Sequence, residues 1–157
     1  MMRLLTRGLI SLLAVTPGLA VASTVQLSSV SVHLFLTASG TFTDDVTAMK
    51  GFGARNFTPF ADGQDFGHDT FHAVLVKVAF TSQGETFEKG QVAQLTVSDS
   101  KTGKVILKRS IAGLYVGPGG RSVVPVLING HECQELRVEV KSGGTTIQRQ
   151  LPFKCGE

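Results

Sequence analysis

The sequence predicts an all-β protein, an antiparallel β-sandwich of about seven strands. Apolar residues recur at every second position in several short stretches, which is the period of a strand with one buried face. Gly-rich turns separate these stretches, and no stretch beyond residue 22 has a convincing helical period. The clearest part is 71–111, which we interpret as three strands joined by turns at 81–84 and 99–103.

Further strands are expected on either side of this central unit. Residues 24–38 alternate in the same way, except that the period is interrupted at Ser28-Ser29, which indicates a bulge or a second short strand. Residues 123–128 form another predicted strand. Pro125 has no N–H to donate to a ladder, so this strand is expected at a sheet edge or at a bulge.

The last hairpin is the most specific local prediction. Gly143-Gly144 forms a two-residue turn, whose register places Val140 opposite Ile147. Extending that register brings Cys133 and Cys155, the two cysteines of the chain, to the open end of the hairpin. In an oxidising compartment we expect them to form a structural disulfide. The chain-entropy model gives such a bond a stabilisation of about 3 kcal/mol.

The beginning of the chain, residues 1–22, is predicted to be a cleaved signal peptide. A basic start is followed by an apolar run at 8–15 and by the A-x-A sequence at 20–22, with cleavage after Ala20 as an alternative. The run is too short to span a bilayer, which takes about 20 residues. We therefore expect one domain, 23–157, in the periplasm or outside the cell, without stable membrane insertion after cleavage.

The charge of the chain argues against a nucleic-acid partner. Arg3 and Arg7 lie in the predicted signal peptide, which leaves 13 basic and 12 acidic residues in the mature chain. Binding to nucleic acid depends on many clustered Lys and Arg residues. Here the basic residues are scattered singly, apart from Lys108-Arg109.

One stretch suggests a particular kind of sandwich. Residues 87–107, FEKGQVAQLTVSDSKTGKVIL, resemble the middle strands of many immunoglobulin-like extracellular domains. The resemblance implies an immunoglobulin-like sandwich. It covers about twenty residues and is generic to a fold that hosts unrelated functions.

Residues 40–70 differ from the rest of the chain. The segment is rich in Gly and Asp and shows no sustained period, although short strands are expected around Phe42 and Phe57. Its phenylalanines either anchor a long loop on the sandwich or line a binding surface. The first interpretation is favoured because several exposed Phe side chains invite aggregation. The candidates for the binding surface are Phe52, Phe57, Phe60 and Phe66.

A cluster of carboxylates and imidazoles lies within the same region. His68, Asp69 and His72, with Asp65, are the candidate ligands of a divalent metal ion. His and Asp together suit Zn²⁺ or Cu²⁺, and oxygen ligands alone suit Ca²⁺. The spacing matches no EF-hand, and the alternative is a solvated acidic loop.

The sequence contains no motif that identifies a catalytic residue. G-x-S-x-G, H-E-x-x-H and S-x-x-K are all absent. We expect an exported, non-catalytic protein that acts by binding or structural interaction, without a cofactor. A protein partner is expected at 40–70 or at the edge strand near Pro125. The alternatives are a periplasmic metal-binding domain and a small secreted hydrolase whose catalytic residues meet only in space.

Overall fold

A computed structural model describes residues 24–130 and 134–154 of the chain. The described residues are nearly all β, as predicted, and contain seven strands of seven or more residues: β1 (Gln26–Leu36), β5 (Phe71–Thr81), β6 (Thr86–Asp99), β7 (Val105–Val116), β8 (Arg121–Asn129), β9 (Leu136–Ser142) and β10 (Thr145–Leu151). Four strands of two or three residues accompany them: β2 (Thr41–Phe42), β3 (Gly53–Arg55), β4 (Thr58–Phe60) and β11 (Phe153–Lys154). The predicted signal peptide, Cys133 and Cys155 lie outside the described residues.

The long strands form two four-stranded antiparallel sheets. The first sheet has the order β2-β1-β5-β8, and the second has the order β10-β9-β6-β7. Alternate residues of both sheets contribute to one continuous core of buried apolar side chains. The two faces that meet in this core make the protein a β-sandwich.

The core is built largely from β-branched residues on the central strands. Val74, Val76 and Val78 of β5 are inaccessible to solvent, as are Leu95 and Val97 of β6. β-branched side chains fit a pleated surface well, so the alternation that predicts these strands also fills the space between them.

The register of the last hairpin is confirmed. Val140 lies opposite Ile147, and the ladder ends at the pair of Leu136 and Leu151. Beyond that pair the chain leaves β9, because β11 pairs in parallel with β3. The register from which the disulfide was predicted therefore stops before the cysteines, and the disulfide itself stays a prediction.

The segment 40–70 contains more regular structure than its sequence pattern indicates. It holds β2, a 3-10 turn at Val46–Ala48, and the hairpin of β3 and β4. Asp45 caps the 3-10 turn by accepting the Thr47 N–H at 3.1 Å. A third sheet, with the order β11-β3-β4, forms beside the sandwich. Its β11–β3 pair is parallel, whereas the two sheets of the sandwich are antiparallel, as predicted.

Helices contribute almost nothing to this part of the chain. Within 24–130 and 134–154, none has the length and apolar character that crossing a membrane requires.

Candidate binding site at the open edge of β8

The edge strand β8 presents unpaired backbone groups to the surroundings. It pairs on one side with β5, and no described strand pairs with its other side. The hydrogen bond from Ser82 N–H to Gly120 O, 3.1 Å long, continues the β5–β8 ladder. Antiparallel pairs alternate between bonded and non-bonded types, so even-numbered residues of β8 bond to β5. Val123, Pro125 and Leu127 therefore direct their backbone groups to the open edge.

The other neighbour of β5 supports the same assignment. Val32 of β1 lies opposite Val76, but its N–H donates to Asp45 at 3.0 Å, on the side away from β5. Val76 is thus not bonded to β1 and directs its backbone groups to Val126 of β8. The position of Pro125 follows the expected rule, because its missing N–H belongs to the side where no ladder exists.

The side chains of the same residues form an apolar stripe on the outer face of the sheet. Val123 is 42% exposed and Leu127 is 49% exposed. Leu127 continues a cross-strand row through Leu75 to His33. The stripe at the edge is therefore joined to an outer face of mixed apolar and small polar residues, whereas the inward side chains of β8, such as Val126, belong to the core.

The opposite edge of this sheet is closed by side chains. The Leu34 N–H donates to Thr43 Oγ1 at 3.0 Å, and the Leu34 carbonyl accepts the Thr43 N–H at 3.0 Å. Arg149 Nε donates to the carbonyl of Val30 at 3.1 Å. With the bond from the Val32 N–H to Asp45, outward backbone groups of Val30, Val32 and Leu34 each have a hydrogen-bond partner outside β5. Natural sheets often block their edges in this way.

The edges of the second sheet are protected by polar and charged residues. β7 carries Lys108 and Arg109 near its middle. β10 carries Arg149, which reaches across to β1 as described. Charged residues on an edge strand disfavour pairing with another chain. Among the long edge strands that the structure describes, β8 is thus the one that is open and has no charged residue after its first position.

Two of the predicted binding residues in 40–70 serve as anchors. The Phe57 ring lies edge-on to Phe71, with the centroids 5.7 Å apart, and the Phe52 ring lies edge-on to Phe153 at 6.3 Å. Both rings are partly buried against the core. These contacts support the anchor interpretation for this pair.

The other two candidates are less enclosed. Phe60 is 49% exposed, and its ring lies over Gly53 in the facing strand β3. Phe66 is partly buried in the turn that precedes β5. The four phenylalanines therefore do not form one exposed surface.

Asp69, a predicted metal ligand, holds together the connection around β2. Its carboxylate accepts the backbone N–H groups of Ala38 at 2.8 Å, Ser39 at 3.0 Å and Thr70 at 2.9 Å. The hydrogen bond from Ala38 is the main reason that the pKa of Asp69 lies below its ordinary value, with further contributions from Ser39 and Thr70. Both oxygens thus already accept backbone hydrogens.

The remaining predicted ligands are exposed. His72 lies at the start of β5 with its ring 5.2 Å from the ring of Phe57, and His68 lies in the preceding turn. Asp65 accepts the Gly67 N–H at 2.8 Å. No group of three or more His, Cys, Asp or Glu side chains within the described residues could hold a metal ion. The positions of these side chains therefore do not support the hypothesis of a metal site in this region.

Comparisons with known proteins identify no relatives: no protein-family model and no curated protein matches the chain. The function has to be inferred from the site itself.

Proposed function

We propose that this is an exported, non-catalytic protein that binds an extended segment of another protein by adding it as a strand to β8. The single observation that carries this proposal is the difference between the edges. β1 is closed by side-chain hydrogen bonds and β7 carries two charges within the strand, whereas β8 is open and apolar along 123–128, with its one charged residue, Arg121, at its start. An edge of this kind is a template for another chain.

The edge of β8 offers the backbone groups that pairing with an added strand requires. Val123 and Leu127 each offer an N–H and a carbonyl, and Pro125 offers a carbonyl. In β-augmentation, backbone hydrogen bonds supply affinity, and the side chains of alternate residues supply specificity. The exposed Val123 and Leu127 side chains would contact alternate residues of the incoming segment.

The fold proposed for this binding protein is an immunoglobulin-like sandwich. In constant-type immunoglobulin domains the first, second and fifth strands share one sheet, and the third, sixth and seventh share the other. Six of the seven long strands follow this division, with β1, β5 and β8 in one sheet and β6, β9 and β10 in the other. The fourth strand, β7, departs from the constant-type pattern, since it pairs with β6 instead of β8.

Export is proposed from the sequence of residues 1–22. The basic start, the short apolar run and the A-x-A sequence together support cleavage and release into the periplasm or the medium. N-terminal sequencing of the protein purified from the exported fraction tests this part. A mature chain that begins at Ser23 is expected, and an intact Met1 would contradict it.

The binding proposal can be tested with a synthetic peptide. The neutral probe is a peptide of about ten residues that is disordered alone and carries Val opposite Val123 and Leu127 and Thr at its other positions, a length sufficient to span β8. We expect the probe to slow hydrogen exchange at the Val123 and Leu127 amides, because these groups become hydrogen-bonded. The Leu127→Lys variant should lose this effect.

A matched variant controls for a general loss of apolar surface. Val105, on β7, is 54% exposed, similar to Leu127. Val105→Lys should fold and bind the neutral probe like the wild type. If the probe protects no β8 amide, or if both lysine variants weaken binding equally, strand addition to β8 is wrong.

A further inference from the structure

The sheet that ends in β8 has a one-sided distribution of charge. Its strands β1, β2, β5 and β8 contain no Asp or Glu residue, and their Lys and Arg residues are Lys77 and Arg121. Both ion pairs within the described residues involve other strands or turns, namely Lys101 with Glu135 and Lys141 with Glu139. The cations of this sheet are thus not neutralised by a described carboxylate.

Both cations lie on the outer face, close to the open edge. Arg121 alternates with the inward-facing residues of β8 and belongs to the same face as Val123. Lys77 lies opposite Pro125, so the small Pro125 ring is the group between it and an incoming strand. Neighbouring strands are about 4.8 Å apart, which places a residue opposite Pro125 about 10 Å from Lys77. A lysine and a glutamate side chain together can span that distance.

Pro125 also distinguishes a second copy of this chain from a different partner. Any strand that pairs with the open edge forfeits the one hydrogen bond that Pro125 cannot donate. Two β8 strands paired with each other would forfeit two hydrogen bonds, one at each Pro125, and would bring like charges together. A buried carbonyl without a donor costs about 1–3 kcal/mol. Self-pairing is therefore disfavoured relative to a partner without proline.

We propose that the β8 edge binds an acidic segment of another protein. Acidic and apolar residues alternate along the face of this segment that continues the outer face of the sheet. Carboxylates lie opposite Arg121 and Pro125, and apolar side chains lie opposite Val123 and Leu127. This inference rests on the strand addition proposed above and adds the chemistry of the partner. In antiparallel pairing the segment reads, from its N-terminus, apolar-x-acidic-x-apolar-x-acidic.

Three peptides of equal length test whether acidic residues are preferred opposite Arg121 and Pro125. The neutral probe carries Thr opposite Arg121 and Pro125, the acidic probe carries Glu at those positions, and the basic probe carries Lys. Cross-strand charge pairs are worth about 0.2–1 kcal/mol each. The pair with Arg121 is of this kind, and Lys77 adds a weaker attraction across the Pro125 ring, so the acidic probe should bind up to about fivefold tighter than the neutral probe and the basic probe up to about fivefold weaker. The difference should shrink at high salt.

One double variant, compared with the wild type, separates failure of this inference from failure of the proposed function. The double variant Lys77→Gln/Arg121→Gln should bind all three probes with about equal affinity, close to that of the neutral probe for the wild type. Equal binding of the acidic and basic probes to the wild type would overturn the preference for an acidic segment and leave strand addition intact. No binding of any probe would instead overturn strand addition.

The oligomeric state tests the exclusion of a second copy. Sedimentation of the wild type across a range of concentrations should show a monomer. A dimer that Leu127→Lys abolishes would show that another copy of this chain occupies the edge, and it would overturn the proposed partner. The same measurement on Val105→Lys controls for association through other surfaces.

Discussion

The turn between β3 and β4 makes an unusual prediction about residue 57. Asn56 and Phe57 have φ values of 47° and 64°, the conformation of a type I′ turn. A bulky residue in this region is strained by about 1–2 kcal/mol relative to glycine. The Phe57 ring contacts Phe71, and the Phe57 carbonyl accepts the Phe71 N–H at 3.0 Å. We infer that packing of the ring offsets the strained backbone.

Two substitutions at Phe57 separate the ring from the backbone. Phe57→Ala removes the ring contacts and keeps the strain; a loss of about 2 kcal/mol is expected, below the 3–5 kcal/mol of a fully buried Phe. Phe57→Gly removes the same contacts but relaxes the backbone. Glycine adds about 0.5–1 kcal/mol of entropy cost on folding. The glycine variant should still be more stable than the alanine variant, by about 0.5–1 kcal/mol.

Urea denaturation of the exported protein measures these differences, with Phe60→Ala as the control in the same hairpin. Phe60 is 49% exposed and has an extended backbone, so its loss should cost less than about 1 kcal/mol. An alanine variant at residue 57 that is more stable than the glycine variant would refute the strain argument. Equal losses at Phe57 and Phe60 would refute the assignment of Phe57 as an anchor.

Four further predictions concern individual side chains. Folding lowers the pKa of Asp69 from its ordinary value of 3.8, so its contribution to stability is fully present above that pH and is lost as the pH falls through the folded-state pKa. The melting temperature of Asp69→Asn should therefore be lower than that of the wild type at neutral pH and should fall less steeply across the acidic range. Pro125→Thr supplies the missing N–H, worth about 1 kcal/mol, and should tighten binding of the neutral probe about fivefold in a peptide titration. Under non-reducing conditions, mass spectrometry should find the mature chain lighter than its reduced form by two hydrogen atoms if Cys133 and Cys155 are bonded; equal masses would remove the disulfide. Elemental analysis and melting with and without a chelator test the metal hypothesis; because Asp69 is occupied by backbone donors, we expect no change on chelation, and a metal-dependent shift would restore the metal interpretation.

What could be predicted from the sequence depended on how local the determinant is. The register of β9 and β10 follows from Gly143-Gly144, since a two-residue turn fixes every pair of its hairpin. The pairing of β3 with β11 involves strands of two or three residues that are far apart in the chain. Such strands are shorter than the alternation needed to recognise them. The sequence of 40–70 therefore predicts short strands around Phe42 and Phe57 but not their distant partner.

The same distinction explains the outcome at Asp69. A carboxylate between two histidines suggests a metal ligand when its neighbours in space are unknown. The donors that it accepts from at Ala38 and Ser39 are backbone groups, about thirty positions earlier in the chain. Backbone donors leave no trace in residue type, because every residue except proline has one. No sequence pattern could have identified this role.

The position of Pro125 was predictable for the opposite reason, because proline is the one residue that lacks the donor. A proline within a strand predicts that the strand lies at a sheet edge, but it does not predict whether that edge is open. That depends on distant residues, since the equivalent groups of β1 are occupied by Asp45, Thr43 and Arg149. If an open edge were only a consequence of the strand order, β1 would need no such side chains. Their presence on one edge of the sheet, and an apolar stripe on the other, is the difference on which the proposal of a binding site at β8 rests.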